Sequence, residues 1–167
     1  MKLVDLDIIR LKIIENGVDG KVEGCNYSYG IEPCGYTARL NNIYSMDNVE
    51  YKIEYGVEDL IMLPNRPYIL STVEVLNMPK NVSGVIFCKS SLIRQGVAGF
   101  FGAIEPGYKG NISALFYNFS CIPVILKVNQ GLIQFQFDLL EELPKSSYKG
   151  RYQNSIGVVK YKKNDKQ

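Results

Sequence analysis

Histidine is absent from this 167-residue sequence. Its absence excludes Ser-His-Asp and Cys-His nucleophile systems and zinc centres with a His ligand. It also excludes the His-containing signature of the zinc nucleobase deaminases. Cysteine is sparse. Cys25, Cys34, Cys88 and Cys121 stand far apart with no CxxC pair, so reduced thiols are expected rather than a metal or disulfide framework. Long apolar runs are missing as well. Ile122 to Val128 is among the longest, far below the roughly 20 residues a membrane-spanning helix needs. The opening MKLVDLDIIRL puts Asp5 and Asp7 inside what would be the apolar stretch of a leader, so no signal peptide is expected. Neither sign of charge dominates, and a net charge of +2 does not direct the chain to nucleic acid or to a membrane. These absences together lead to the expectation of a soluble, cytoplasmic protein.

What is present is ordinary for a folded domain: 46% hydrophobic and 22% charged residues. The length suits one domain spanning 1–167. Residues 1–20 are expected to form an N-terminal helical segment. Within it, Leu6, Ile9, Ile13 and Ile14 recur near helical spacing from Asp5 to Asn16, and Gly17 stands where a C-terminal cap belongs. The helical period then disappears. Short runs rich in β-branched and aromatic residues follow: Tyr51–Tyr55, Tyr68–Leu76, Val82–Cys88, Asn111–Asn118, Ile122–Val128 and Leu132–Leu139. Gly, Pro, Asn and Asp separate them, which indicates a mainly β sandwich, jelly roll or barrel. The tail from Val159 to Gln167 carries four lysines and little apolar content, and is expected to be mobile in an isolated subunit.

Four segments carry chemistry. In Cys88-Lys89-Ser90-Ser91-Leu92-Ile93-Arg94-Gln95-Gly96-Val97, two cations flank two hydroxyls at a strand end, a composition that suits phosphate oxygens or a solvated turn. Gly102-Ala103-Ile104-Glu105-Pro106-Gly107-Tyr108-Lys109-Gly110 reads as a hairpin tip. It carries a carboxylate able to deprotonate water and a Tyr able to pack on a sugar or base, or else it is an ordinary turn. In Gly131-Leu132-Ile133-Gln134-Phe135-Gln136-Phe137, strand alternation puts Gln134 and Gln136 on one face and the two Phe on the other. Tyr148-Lys149-Gly150-Arg151-Tyr152-Gln153-Asn154-Ser155 is polar and aromatic, and alone reads as a loop.

In order and spacing, these four segments resemble the motifs of the dUTPase and dCTP deaminase superfamily. KSSLIRQGV is similar to its R-S-[SG]-L-x-R segment, and GAIEPGYKGN to its G-x-I-D-x-x-Y-x-G hairpin. QGLIQFQF is similar to its R-I-x-Q-L strand, and RYQNSIG to the Y-Q-x-Q-x-G end of the deaminase branch. Pro33 to Leu40 and the segment around Asp5 and Asp7-Ile8-Ile9 are weaker matches. The resemblance implies a distorted jelly roll (a β-clip) with a short N-terminal helix. It also implies a homotrimer with sites between subunits, and a C-terminal segment, 148–167, that closes over bound nucleotide. The substrate would be dUTP or dCTP, with Mg²⁺ carried on the triphosphate, no zinc, and no metal ligand on the protein.

The implied roles follow the matched positions. Glu105 activates water, and Ser90 and Arg94 stand with it in the catalytic set. Lys89, Ser90, Ser91, Arg94 and Gln134 hold phosphates. Tyr108 packs on the deoxyribose, and backbone at Gly102 and Ala103 reads the base. Tyr148, Arg151, Tyr152, Gln153 and Ser155 close the site. Several positions depart from the pattern. The proton-shuttling glutamate of the deaminase branch falls at Leu115, and no Asp or Glu lies between Pro106 and Phe137. Thr37 replaces an Asp, Gly131 replaces an Arg, and Glu105 is one methylene longer than the Asp of the pattern. The expected function is therefore dUTP diphosphatase, releasing dUMP and pyrophosphate. The alternatives are dCTP deaminase, alone or bifunctional, and a catalytically weak nucleotide-binding regulator.

Overall fold

The computed structural model describes residues 1–24, 27–45, 50–52, 60–127 and 130–161. The chain is built from strands, as expected. These are β1 (Lys21–Gly24), β2 (Tyr27–Glu32), β3 (Gly35–Ser45), β4 (Glu50–Lys52), β5 (Leu60–Met62), β6 (Pro67–Asn77), β7 (Val82–Cys88), β8 (Val97–Phe100), β9 (Lys109–Asn118), β10 (Val124–Leu126) and β11 (Gly131–Leu139). Two short helices, α1 (Asp5–Arg10) and α2 (Ser90–Ile93), complete the described elements.

The strands run β1-β2-β3-β6-β9-β8 across one antiparallel sheet, and β11 pairs with both β3 and β7. Strand β3 makes the corner. Its first half pairs with β2 and β11, and its second half with β4 and β6, with register irregularities near Leu40. Paired N–H···O bonds of 2.9 Å between Gly84 and Ile104 bring the segment after β8 back against β7, so the sheet curls round into a distorted jelly roll. Inside are Tyr36, Leu70, Leu76, Phe116, Phe135 and Phe137, each at most 1% exposed. The alternation read in β11 holds: Phe135 and Phe137 face this core, while Gln134 and Gln136 are only half-buried.

The N-terminal helix is shorter than its sequence spacing indicates. It stops at Arg10, and Lys12 takes a left-handed φ of 49°. Residues 13–15 then pair with β6. Glu15 N–H donates to Val75 O at 2.9 Å, Asn77 N–H donates to Ile13 O at 2.8 Å, and Ile13 is fully buried. An isolated helix of this length is marginal, so the sheet edge outcompetes its continuation. The strand expected at Tyr51–Tyr55 is present as 50–52, and the rest of it lies outside the described residues. Of the run Ile122–Val128, Val124–Leu126 forms β10, and Val128 lies outside the described residues.

The C-terminal segment from 148 to 159 packs on its own chain, and of the tail expected to be mobile, Val159 to Gln167, only 159–161 lie among the described residues. β8 pairs only with the far half of β9, from Leu115 to Asn118, which leaves the near half with an open edge. The C-terminal segment takes that edge. Asn154 N–H donates to Lys109 O at 2.8 Å, Asn111 N–H to Ser155 O at 2.9 Å, and Val159 N–H to Ser113 Oγ at 3.2 Å. Residues 162–167 lie outside the described residues.

Candidate active site

A cavity of about 560 Å³ opens where β8, the 101–108 loop, the near half of β9 and the C-terminal segment meet. That size falls within the ordinary range for small-molecule sites. Phe100, Phe101, Ile112, Leu115 and Tyr148 make much of its wall, and Glu105, Ser113 and Ser155 bring polarity.

The 101–108 loop is held open by its own chemistry. Gly107 turns the tip at φ 79°, and Tyr108 N–H closes on Glu105 O at 3.1 Å. Tyr148 N–H donates to Pro106 O at 2.8 Å. The Gln153 amide clamps the tip from both sides, donating to Gly107 O at 2.9 Å and accepting from Lys109 N–H at 3.0 Å. The glycine at 110 is forced: φ is 143°, and a Cβ there would meet Ser155 backbone and the Tyr108 hydroxyl within 3.0 Å.

Tyr108 is buried, with its ring edge-on to Tyr148 at 5.5 Å. Its hydroxyl donates to Asn111 O at 2.5 Å. Burial, then the neighbouring Tyr148, pushes its pKa up to about 12, so it remains a protonated donor at neutral pH. Glu105 is exposed on the rim, and among the described residues its carboxylate has no hydrogen-bond or salt-bridge partner. The peptide groups of Gly102 and Ala103 likewise make no hydrogen bond among the described residues, which leaves them available to the edge of a base. Among the described residues, no three Cys, Asp or Glu side chains converge on a metal position.

The structure gathers seven of the expected positions around this cavity: Gly102, Ala103, Glu105, Tyr108, Tyr148, Tyr152 and Ser155. It places the rest elsewhere. Ser90, Ser91 and Arg94 are exposed on and just after α2, Gln134 lies on β11, and none of them lines the cavity. Lys89 is tied to β2. Arg151 stands over the Tyr161 ring at 5.7 Å, and Gln153 is spent on the loop tip.

Sequence reading missed the polar edge of β9. The Asn111 amide donates to Thr72 O and Glu74 O at 2.8 and 3.0 Å, and its Oδ1 accepts from Gly157 N–H at 3.0 Å. Ser113 Oγ donates to Gly157 O at 2.9 Å. Both residues sit in a run that reads as plain strand, and nothing in its alternation marks them. Leu115, where the deaminase pattern has its glutamate, lines the cavity and is 36% exposed.

Comparison with known proteins identifies the family. The family model for dCTP deaminase-like proteins matches residues 8–140. A dCTP deaminase of Pyrococcus horikoshii is 33% identical over 130 residues, which cover 77% of this chain and 82% of that protein. A dCTP deaminase of a Wolbachia species is 30% identical over 163 residues, covering 88% of each. The crystal structure of 2'-deoxycytidine 5'-triphosphate deaminase from Agrobacterium tumefaciens superposes with a TM-score of 0.64 at 17% identity. That match covers 83% of this chain, which spans about half (47%) of the longer chain and shares its fold. The motif order, the curled sheet and the family match over residues 8–140 together place this chain in the dCTP deaminase-like family, within the dUTPase and dCTP deaminase superfamily.

Proposed function

We propose that this chain binds a pyrimidine deoxyribonucleoside triphosphate in the 560 Å³ cavity and turns it over with Glu105 as general base for water. The carrying observation is a carboxylate, unpartnered among the described residues, on the rim of an apolar, aromatic-walled pocket that also holds a buried tyrosine. The relatives' names favour dCTP as substrate, and so favour the deaminase alternative over the dUTP diphosphatase expected from the motifs. In deamination, Glu105 takes a proton from water as the oxygen adds to C4 of cytosine. It then delivers that proton to the departing amino group, so ammonia leaves, and the proton still on the added oxygen passes to N3 to give the uracil carbonyl. A second reading is hydrolysis of dUTP to dUMP and pyrophosphate. Leu115 favours it, because a leucine beside the base cannot move protons.

One assay separates the readings. Purified protein is incubated with dCTP and, separately, dUTP, each with Mg²⁺, and ammonia and pyrophosphate are scored independently. Ammonia from dCTP supports the first reading, and pyrophosphate from dUTP the second. Nucleotide binding with neither product leaves a regulator.

Ser90, Ser91 and Arg94, which the resemblance directs to phosphates, do not line the cavity of their own chain. We infer that a neighbouring copy supplies them, in a homotrimer. Exposed apolar side chains at Val85, Phe87 and Phe100 offer surface for such packing. Light scattering should give the trimer mass at micromolar concentration; a monomer with full turnover would rule out the shared site.

A further inference from the structure

The matched motif places Lys89 among the phosphate ligands, but its ammonium is already engaged. Lys89 Nζ donates to Ser28 O at 2.5 Å and to Ser28 Oγ at 2.7 Å, on β2. The same residue anchors two other elements through its main chain. Its N–H donates to Leu132 O of β11 at 3.2 Å. Its carbonyl accepts from Leu92 N–H and Ile93 N–H, at 2.9 and 3.2 Å, to start α2. β2, β11 and α2 therefore converge on one residue.

Space for this grip comes from Gly131. A Cβ built on Gly131 would lie 2.7 Å from Lys89 Nζ and 2.6 Å from Thr37 Cγ2, and would overlap Ser28 O. A side chain at 131 would press hardest on the Ser28 carbonyl, the acceptor of the ammonium, and so disturb the clasp. The glycine that departs from the family's arginine and the lysine that begins the phosphate segment thus form one packing unit. Its surroundings are mixed in charge: Glu32, Lys21 and Glu23 act on the lysine, and Lys21 bridges Glu23 and Glu32 at 2.6 and 3.7 Å.

We propose that Lys89 is a positioning residue. Clasped by Ser28 over the bare Cα of Gly131, it fixes the start of α2, and so the placement of Ser90, Ser91 and Arg94 toward the substrate's phosphates, rather than binding a phosphate itself. The substrate part of this rests on the triphosphate reading above; the clasp itself does not.

The test uses Lys89→Met, Lys89→Arg, Ser28→Ala and Gly131→Ala in the full chain, with dCTP and dUTP as substrates. Lys89→Met and Gly131→Ala should each raise KM for the triphosphate about tenfold, the scale of one lost charged hydrogen bond. Ser28→Ala, which keeps the carbonyl acceptor, should raise it about threefold. The double variant Lys89→Met with Ser28→Ala should be no worse than Lys89→Met alone. Lys89→Arg should rescue only in part, because a planar guanidinium does not reproduce the compact ammonium's paired bonds to Ser28 O and Oγ. A wild-type KM in Lys89→Arg would overturn the proposal in favour of direct phosphate contact. So would unchanged KM in both Ser28→Ala and Gly131→Ala. Hydrogen exchange supplies a readout without substrate. Amides of Leu92 and Ile93 should exchange faster in Lys89→Met and in Ser28→Ala, and unchanged protection overturns the clasp even if neither nucleotide is turned over. Faster exchange in the variants, with no binding of either nucleotide by the wild type in calorimetry, would instead retain the clasp and refute the triphosphate reading.

Discussion

Glu105→Gln should lower turnover of the preferred nucleotide by about 10²–10⁴-fold while leaving nucleotide affinity within about threefold. Glutamine keeps the size and hydrogen-bonding reach of the side chain but cannot accept a proton from water. Glu105 is exposed and, among the described residues, unpartnered, so the substitution breaks no described hydrogen bond or salt bridge and should not unfold the chain. Rate and affinity should therefore separate cleanly. Steady-state kinetics for whichever product the wild type releases, paired with calorimetric nucleotide binding, would show this. Normal turnover in Glu105→Gln would reduce Glu105 to an ordinary loop residue and remove the carboxylate from both proposed reactions.

The second large effect concerns stability and lies away from the cavity. Glu74 sits in the irregularity of β6 between Ser71 and Val75 and is fully buried. Its carboxylate accepts from Arg39 N–H and Arg39 Nε, both at 2.7 Å, and from the Tyr36 hydroxyl at 3.4 Å. Tyr36 in turn accepts from Val18 N–H at 3.1 Å, so β6, β3 and the loop at Val18 are joined in one network around this anion. Arg39→Met would leave that charge buried without its partner, which typically costs about 3–5 kcal/mol. Arg39→Met combined with Glu74→Leu should recover most of the loss, since replacing a buried pair by apolar groups is often neutral.

The pH dependence gives this prediction a sign. Burial pushes the Glu74 carboxyl up, and the hydrogen bonds from Arg39 bring it only part of the way back. A folded-state value above the unfolded one means that the folded chain holds more protons between the two. Glu74's contribution to stability is therefore full below the unfolded carboxylate range and is lost as pH rises through its folded value. Removing Arg39 raises that folded value further. The destabilisation by Arg39→Met, read from urea midpoints, should accordingly be larger at pH 8 than at pH 5. A loss under 1 kcal/mol, or one that does not change with pH, would contradict the account.

Local chemistry made much of this protein legible. The alternation of Phe135 and Phe137 with Gln134 and Gln136 dictated β11, because a strand in contact with a core must bury every second residue. The Gly-Pro punctuation of 102–110 marked the loop that carries Glu105 and Tyr108, since φ values of 79° at Gly107 and 143° at Gly110 are costly for other residues. The order of four motifs was enough to indicate the family, which lies in residue identities and spacing.

Other features depend on partners distant in sequence, and only the tertiary structure decided them. The first helix ends at Arg10 because β6, about 65 residues away, offers Ile13 and Glu15 better hydrogen bonds than another helical turn would. The C-terminal segment docks on its own chain because β8 leaves half of β9 unpaired, a vacancy that no local pattern records. Asn111 and Ser113, indistinguishable in sequence from other strand residues, become its anchors for that reason. The division of the expected site has the same origin. The family resemblance implied that Lys89 and Arg94 stand with Glu105 in a shared site; within one chain α2 does not line the cavity, and the ammonium of Lys89 goes to Ser28. Sequence fixes which groups are available for chemistry; which of them are free to meet a ligand depends on contacts between residues far apart in the chain.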